Sequence, residues 1–145
     1  LRRALTSREE VLGESHPSTL TSVNNLAGLL YAKGDYDGAE PLLRRALTSK
    51  EEVLGESHPS TLASVNNLGM LLTAKGDYDG AEPLLRRDLA SREEVQGESH
   101  PDTLTSVNNL GLLLKAKDDY DGAEQLFKRA LMSKEEVLGE SHPDT

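Results

Sequence analysis

Residues 16–57 read HPSTLTSVNNLAGLLYAKGDYDGAEPLLRRALTSKEEVLGES, and the same stretch returns, barely altered, at 58–99 and again at 100–141. Self-similarity at a period of about forty-two residues marks a solenoid, in which no unit can bury its own apolar face and stacking supplies the core. Working outward, residues 1–15 repeat the second half of the unit, because LRRALTSREEVL matches residues 43–54. Residues 142–145 begin another copy. The expected organisation is therefore one array: a truncated repeat over 1–15, whole repeats over 16–57, 58–99 and 100–141, and the start of the next. Opening at LRRAL without an initiator Met, it reads as an excerpt from something longer.

Within the first whole unit the apolar residues Leu20, Val23, Leu26, Leu29 and Leu30 fall on one helical stripe. Pro17 suits the first helical position, with His16 or Ser15 as the cap, and the helix should end at Lys33, before Gly34. Asp35 then caps a second helix with apolar positions at Tyr36, Ala39, Leu42, Leu43, Ala46, Leu47, Val53 and Leu54. The Asp37-Gly38 pair belongs in its first turn. Pro41 lies deeper, and should remove one backbone hydrogen bond or bend the helix slightly. Short connections make neighbouring helices antiparallel, so the fold class is all-α, a solenoid of helix pairs A and B.

Composition narrows the function. A formal net charge of -9 argues against nucleic acid, which is bound chiefly through Lys and Arg, and against an anionic membrane surface. The chain has no cysteine, which removes disulfides, thiolate metal sites and cysteine nucleophiles. No apolar run approaches the roughly 18 residues of a membrane span. A cytoplasmic protein is expected.

The small residue at Ala27, Gly69 and Gly111, the GDYDGAE turn, the alanines Ala39, Ala81 and Ala123, and the LLxRAL run together resemble a tetratricopeptide repeat. The resemblance covers essentially the whole chain. The common unit of that family has about thirty-four residues; the longer unit here is similar to those of kinesin light chains and of arrays attached to NLR-like signalling ATPases. This resemblance implies a right-handed superhelix whose concave wall is made of A helices, which binds a peptide or protein segment and performs no catalysis.

On that wall the ligand would meet the helix A residues off the apolar stripe: Thr21, Asn24, Asn25, Gly28 and Tyr31, then Ala63, Asn66, Asn67, Met70 and Thr73, then Thr105, Asn108, Asn109, Leu112 and Lys115. Stacked repeats turn the asparagines into a ladder, and each amide offers a donor and an acceptor to an extended peptide backbone. Alternatively, one Asn of each pair braces the neighbouring helix. The resemblance favours Asn25, Asn67 and Asn109 as the ligand set, since they match the clamp Asn of the family. Differences among the copies fall at 21/63/105, 28/70/112 and 31/73/115, which share a helix face. They form either a diversified recognition surface or ordinary drift at exposed sites. Only Lys115 is basic, so a free C-terminal carboxylate is a poor target.

Other constellations look structural. His16, His58, His100 and His142 recur one repeat apart, too far to share a metal ion, and suit helix capping. Carboxylate pairs such as Glu9-Glu10 and Asp35/Asp37 recur without a cleft, and no cofactor or metal is expected. Asp88 stands where other copies have Ala46 and Ala130. It should reach a rim or accept hydrogen bonds from a neighbouring Asn or Arg, so that Asp88→Ala is neutral or stabilising. The second functional reading is a structural array that forms head-to-tail oligomers or fibres through uncapped repeat ends. Near-identical copies also suit an engineered array, although changes such as Asp88, Gln96 and Phe127 look like natural divergence.

Overall fold

Side-chain caps set the helix boundaries. In the computed structural model, which describes residues 17–141 and the side chains of residues 19–136, His58 Nδ1 accepts the Ser60 backbone N–H at 3.0 Å. His100 Nδ1 accepts that of Asp102 at the same distance, and Pro59 and Pro101 occupy the first helical turn, where a missing N–H is harmless. Asp35, Asp77 and Asp119 cap the alternate helices by accepting the N–H of Gly38, Gly80 and Gly122. A Cβ on any of these glycines would fall 2.6 Å from the capping carboxylate, which is why GDYDGAE keeps its second glycine.

Six helices result, with no strand among the described residues: α1 (Pro17–Ala32), α2 (Tyr36–Leu54), α3 (Pro59–Lys75), α4 (Tyr78–Gln96), α5 (Pro101–Ala116) and α6 (Tyr120–Ser141). Odd-numbered helices are A and even-numbered are B. Helix α1 stops one residue short of Lys33, and α2 continues unbroken through Pro41. Gly55 and Gly97 end α2 and α4 at φ of 92° and 91°, whereas α6 runs on past Gly139. The expected half unit over 1–15, the caps His16 and His142, and Glu9-Glu10 lie outside the described residues.

Each helix packs on the next, and α3 also touches α5, so the core is one continuous layer of Leu, Val and Ala. Most stripe positions are buried, but Leu29 is 47% exposed while its counterparts Leu71 and Leu113 are sealed. Those two lie on helices that have a described B helix packed before them; Leu29 does not. Val53 and Leu54, expected in the core, are also exposed. The Thr61 hydroxyl meets the Lys50 carbonyl at 3.4 Å, so α3 begins against Lys50 and the last turn of α2 overhangs it. Gly69 and Gly111 let A approach B closely, since a Cβ would fall 2.7 Å from Leu85 and 2.6 Å from Phe127 respectively.

Ion pairs tie successive repeats together at both edges. Lys75 at the end of α3 reaches back to Glu40 at 2.6 Å and Asp37 at 2.8 Å, and Lys117 repeats this with Glu82 at 2.6 Å and Asp79 at 3.6 Å. Between B helices, Arg87 pairs with Glu51 at 2.8 Å and Arg129 with Glu93 at 3.3 Å. The hydrogen bond from Lys75, then that from Arg44, holds the Glu40 carboxyl below its ordinary value; Lys117 and then Arg86 do the same for Glu82. The Lys75 ammonium is pushed up by Asp37 first and Glu40 second.

Of the two arrangements expected for Asp88, a rim or hydrogen bonds from a neighbouring Asn or Arg, the structure has the second. It is 1% exposed at the α4–α5 junction, where Arg92 Nε donates to its Oδ1 at 2.8 Å and the Ser106 hydroxyl donates to its Oδ2. Arg92 Nη1 also lies 3.4 Å from both Gln96 Oε1 and Asp102 Oδ2. At the α2–α3 junction the matching residues are Ala46, Lys50, Leu54, Ser60 and Ser64. There the Lys50 ammonium finds the Ser60 carbonyl at 3.4 Å, and burial pushes its pKa down. Four differences from the α2–α3 junction thus meet in one polar cluster, with Asp88 and Arg92 buried and Gln96 and Asp102 at its edge.

Removing the Asp88 carboxylate leaves the Arg92 guanidinium and the Ser106 hydroxyl buried and under-bonded. Asp88→Ala should therefore destabilise by about 1–3 kcal/mol in urea unfolding, against the neutral or stabilising effect read from sequence. The combined change Asp88→Ala, Arg92→Lys, Gln96→Leu and Asp102→Ser rebuilds the other junction and should restore or exceed the original stability, since apolar packing can replace a buried ion pair without loss. Acid provides a separate check. A carboxyl whose folded pKa is depressed stabilises above its ordinary 4.5 and loses that contribution as pH falls through the folded value. Stability should decline on acidification below about pH 4.5, and Glu40→Gln with Glu82→Gln should flatten that decline while lowering stability at neutral pH.

Candidate functional site: the face of the A helices

Off the apolar stripe, helices α1, α3 and α5 present a row of side chains of which only Met70 packs partly against the core. Thr21, Asn24, Asn25, Gly28, Tyr31, Ala63, Asn67, Thr105, Leu112 and Lys115 are exposed; Asn66, Met70, Thr73, Asn108 and Asn109 are half-buried. None of the fifteen is sealed. Between α1 and α3 lies a cleft of about 550 Å³ that brings together Asn24, Gly28, Tyr31, Asn67 and Met70. Two further residues line it. Ala27 was singled out only as a small packing residue, and Leu43 of α2 only as core; a helix-face reading of A alone cannot see a floor supplied by B.

The asparagine ladder is uneven. Asn109 Nδ2 donates to Asn66 Oδ1 at 2.8 Å, so one amide pair bridges α5 and α3. Their counterparts Asn67 and Asn24 border the cleft, and among the described residues neither side chain makes a hydrogen bond. The bracing reading thus finds an instance at one junction, while the amides at the other are open. The Thr73 and Thr105 hydroxyls donate to carbonyls of their own helices, Gly69 at 2.9 Å and Pro101 at 3.0 Å. Tyr31 stacks at a tilt on Tyr36, with ring centroids 5.2 Å apart, which fixes one wall of the cleft.

Lys115 stands apart from the asparagines, at the edge of a second cleft of about 420 Å³ formed with α6 residues including Tyr120, Phe127 and Leu131. The cleft over Asp77, Tyr78, Asp79, Lys117 and Asp118 lies in the interhelix turns and holds the Lys117 ion pairs. There Asp118 takes φ of 68° where other copies have glycine, and accepts the Tyr120 hydroxyl at 3.0 Å. Histidine acts as a helix cap at 58 and 100, and no group of three or more His, Asp or Glu among the described residues could hold a metal ion. No helix among them is long and apolar enough to cross a membrane.

Comparison with known proteins agrees with this architecture. The profile of the tetratricopeptide repeat family matches residues 1–52, 19–93 and 60–136. Among solved structures, BtubC (BKLC) from P. vanneervenii superposes with a TM-score of 0.86 at 29% identity, over 95% of this chain and 55% of that one. The nearly identical TPR-like repeats of a Podosopora anserina protein described as a kinesin light chain give 0.85 at 26% identity, over 94% and 64%; a single-substitution form of the same repeats gives 0.87 at 26%, over 94% and 65%. The chain thus spans between 55% and 65% of the length of these structures. No curated protein matches it.

The uneven ladder separates two roles by stability alone. Asn109→Ala should cost about 0.5–1.5 kcal/mol in thermal or urea unfolding, the worth of one partly buried hydrogen bond. Asn67→Ala, at the matching position one repeat earlier, should change stability by less than about 0.5 kcal/mol.

Proposed function

The chain belongs to the tetratricopeptide repeat family, and from that premise we propose that it is a non-catalytic scaffold that takes an extended peptide or protein segment along the face of α1, α3 and α5. One observation carries this reading: all fifteen off-stripe positions are open or half-open in a continuous row, and only Lys115 among them is charged. The remaining surface is dense in charge, at 28% of residues in the whole chain. An uncharged strip lined with amides suits a peptide backbone, whose N–H and C=O groups need partners when water is displaced. The finer reading, that the array is the sensing part of an NLR-like signalling ATPase, rests on the resemblance of its long repeat unit.

A second reading has its own support. Leu131 on α6 is 57% exposed while its counterparts Leu47 and Leu89 are buried under the next A helix, so α6 offers an apolar face that another repeat would cover. End-to-end association would raise the weight-average mass with concentration in light scattering, and Leu131→Asp would abolish the rise. A mass independent of concentration removes this reading.

The scaffold reading is tested with a random pool of short peptides selected on the immobilised chain. Recovered binders should shift the side-chain amide resonances of Asn25 and Asn67, and Asn67→Ala should weaken them about tenfold, the equivalent of one hydrogen bond. Arg44→Ala, on an exposed part of α2, should leave them unchanged. Binders that map only to B-helix surfaces would overturn the proposal.

A further inference from the structure

The two junctions between whole repeats differ in a way that points to one recognition position. Where α3 meets α5 the amides are spent on each other, Asn109 donating to Asn66, and Met70 and Leu112 stand at the matching helix positions. Where α1 meets α3 the face is open: Asn24 and Asn67 keep their amides unused, and Gly28 stands opposite Met70. Nothing lies within 4 Å of where a Gly28 Cβ would sit, and its φ is ordinary helical, so the glycine serves neither a turn nor a close approach. In a helix interior a glycine without such a use destabilises relative to alanine. What it does provide is the mouth of the cleft.

We infer that this cleft is a socket for one bulky apolar side chain of an uncharged or basic extended segment, held at the rim by Asn24 and Asn67. The inference rests on the groove reading above and adds its position and ligand chemistry. Its volume of about 550 Å³ is in the range of ligand pockets, with Leu43 and Ala27 as the floor and Tyr31 and Met70 as walls. Tyr31, held by Tyr36, and the adaptable Met70 thioether suit an apolar guest of variable shape. None of the seven lining residues is charged, and the nearby Lys75 is already held by Glu40 and Asp37. A carboxylate entering here would lose water without gaining a cation, in the field of a chain of net charge -9. Lysine or arginine on either side of the guest meets the opposite situation.

The test uses end-blocked peptides of Ser and Gln with a central Phe, Leu or Ala, each made with neutral, Lys or Glu flanks, titrated against the folded chain with methyl resonances of Ala27, Leu43 and Met70 as the readout. Phe and Leu guests should shift these methyls and bind at least about tenfold more tightly than Ala, the loss of one anchoring side chain. Lys flanks should maintain or improve affinity, and Glu flanks should weaken it. Gly28→Met, which installs the side chain that the next repeat carries at this place, should abolish the preference for Phe and Leu, and Gly28→Ala should reduce it, with thermal unfolding checking that both variants fold. Binding that shifts Asn25 and Asn67 but is indifferent to the guest and to Gly28→Met would sink the socket and leave the groove reading intact. The absence of binding by every peptide would count against both, and tighter binding with Glu flanks would overturn the stated ligand chemistry.

Discussion

Leu71 and Leu113 are sealed and Leu29 is not, although all three occupy the same place in the same helix of the unit. The same contrast appears on the B helices, where Leu47 and Leu89 are buried and Leu131 is open. Val23, Leu26 and Leu30 are buried with only α2 and α3 beside them among the described helices, so one neighbouring pair seals the middle of a stripe, and its edge positions are sealed where a further described helix packs on them. Stability therefore resides in the junctions, as a sum of nearest-neighbour contacts rather than a single enclosed centre. The caps, the glycines of close approach and the Lys75 and Lys117 ion pairs all serve to hold those junctions at one spacing. The surface left over includes a repeating strip along the A helices, which is where the proposed recognition would take place.

Much of this can be read from the letters. The helix starts at His58 and His100, the Asp35 and Asp77 caps and the glycine stops depend on residues within one turn, and local chemistry decides them. Burial is a different matter, because it depends on neighbours that periodicity does not count. Val53 and Leu54 match the helical period, yet α3 begins beneath Lys50 and leaves them overhanging. Asp88 shows the limit most plainly. From sequence it needs either a rim or a hydrogen bond from a neighbouring Asn or Arg, and only packing α4 on α5 shows that Arg92 is the partner and that Ser106, Gln96 and Asp102 gather around the pair. In the candidate site, the fifteen face positions are visible in one helix at a time, while Leu43 enters from the partner helix and could not be found that way.

The α4–α5 cluster also indicates what near-identical repeats must contend with. Junctions built from the same Leu, Val and Ala side chains are interchangeable in shape and in apolar area, and apolar contact is non-directional. Hydrogen bonds and ion pairs are directional. Asp88 with Arg92 and Ser106 gives one junction a bonding pattern that the α2–α3 junction, with Ala46 and Lys50, does not reproduce. The two junctions thus differ in directional bonding as well as in sequence, although simple packing at the α4–α5 junction could be at least as stable.

The same division between constant and variable residues runs along the open face. The asparagines are identical in every copy, whereas 28/70/112 and 31/73/115 change from Gly to Met to Leu and from Tyr to Thr to Lys. On the groove reading proposed above, constant amides would serve the constant peptide backbone and the varying positions would meet the side chains of the bound segment, with one amide pair, Asn66 and Asn109, already taken up between helices. Gly28 leaves the first junction open and Leu112 stands 47% exposed at the second, so these two positions vary clear of the core, whereas Met70 at the same place packs partly against it. A solenoid can thus vary the side chains along one face while most of the buried contacts that hold it together stay the same.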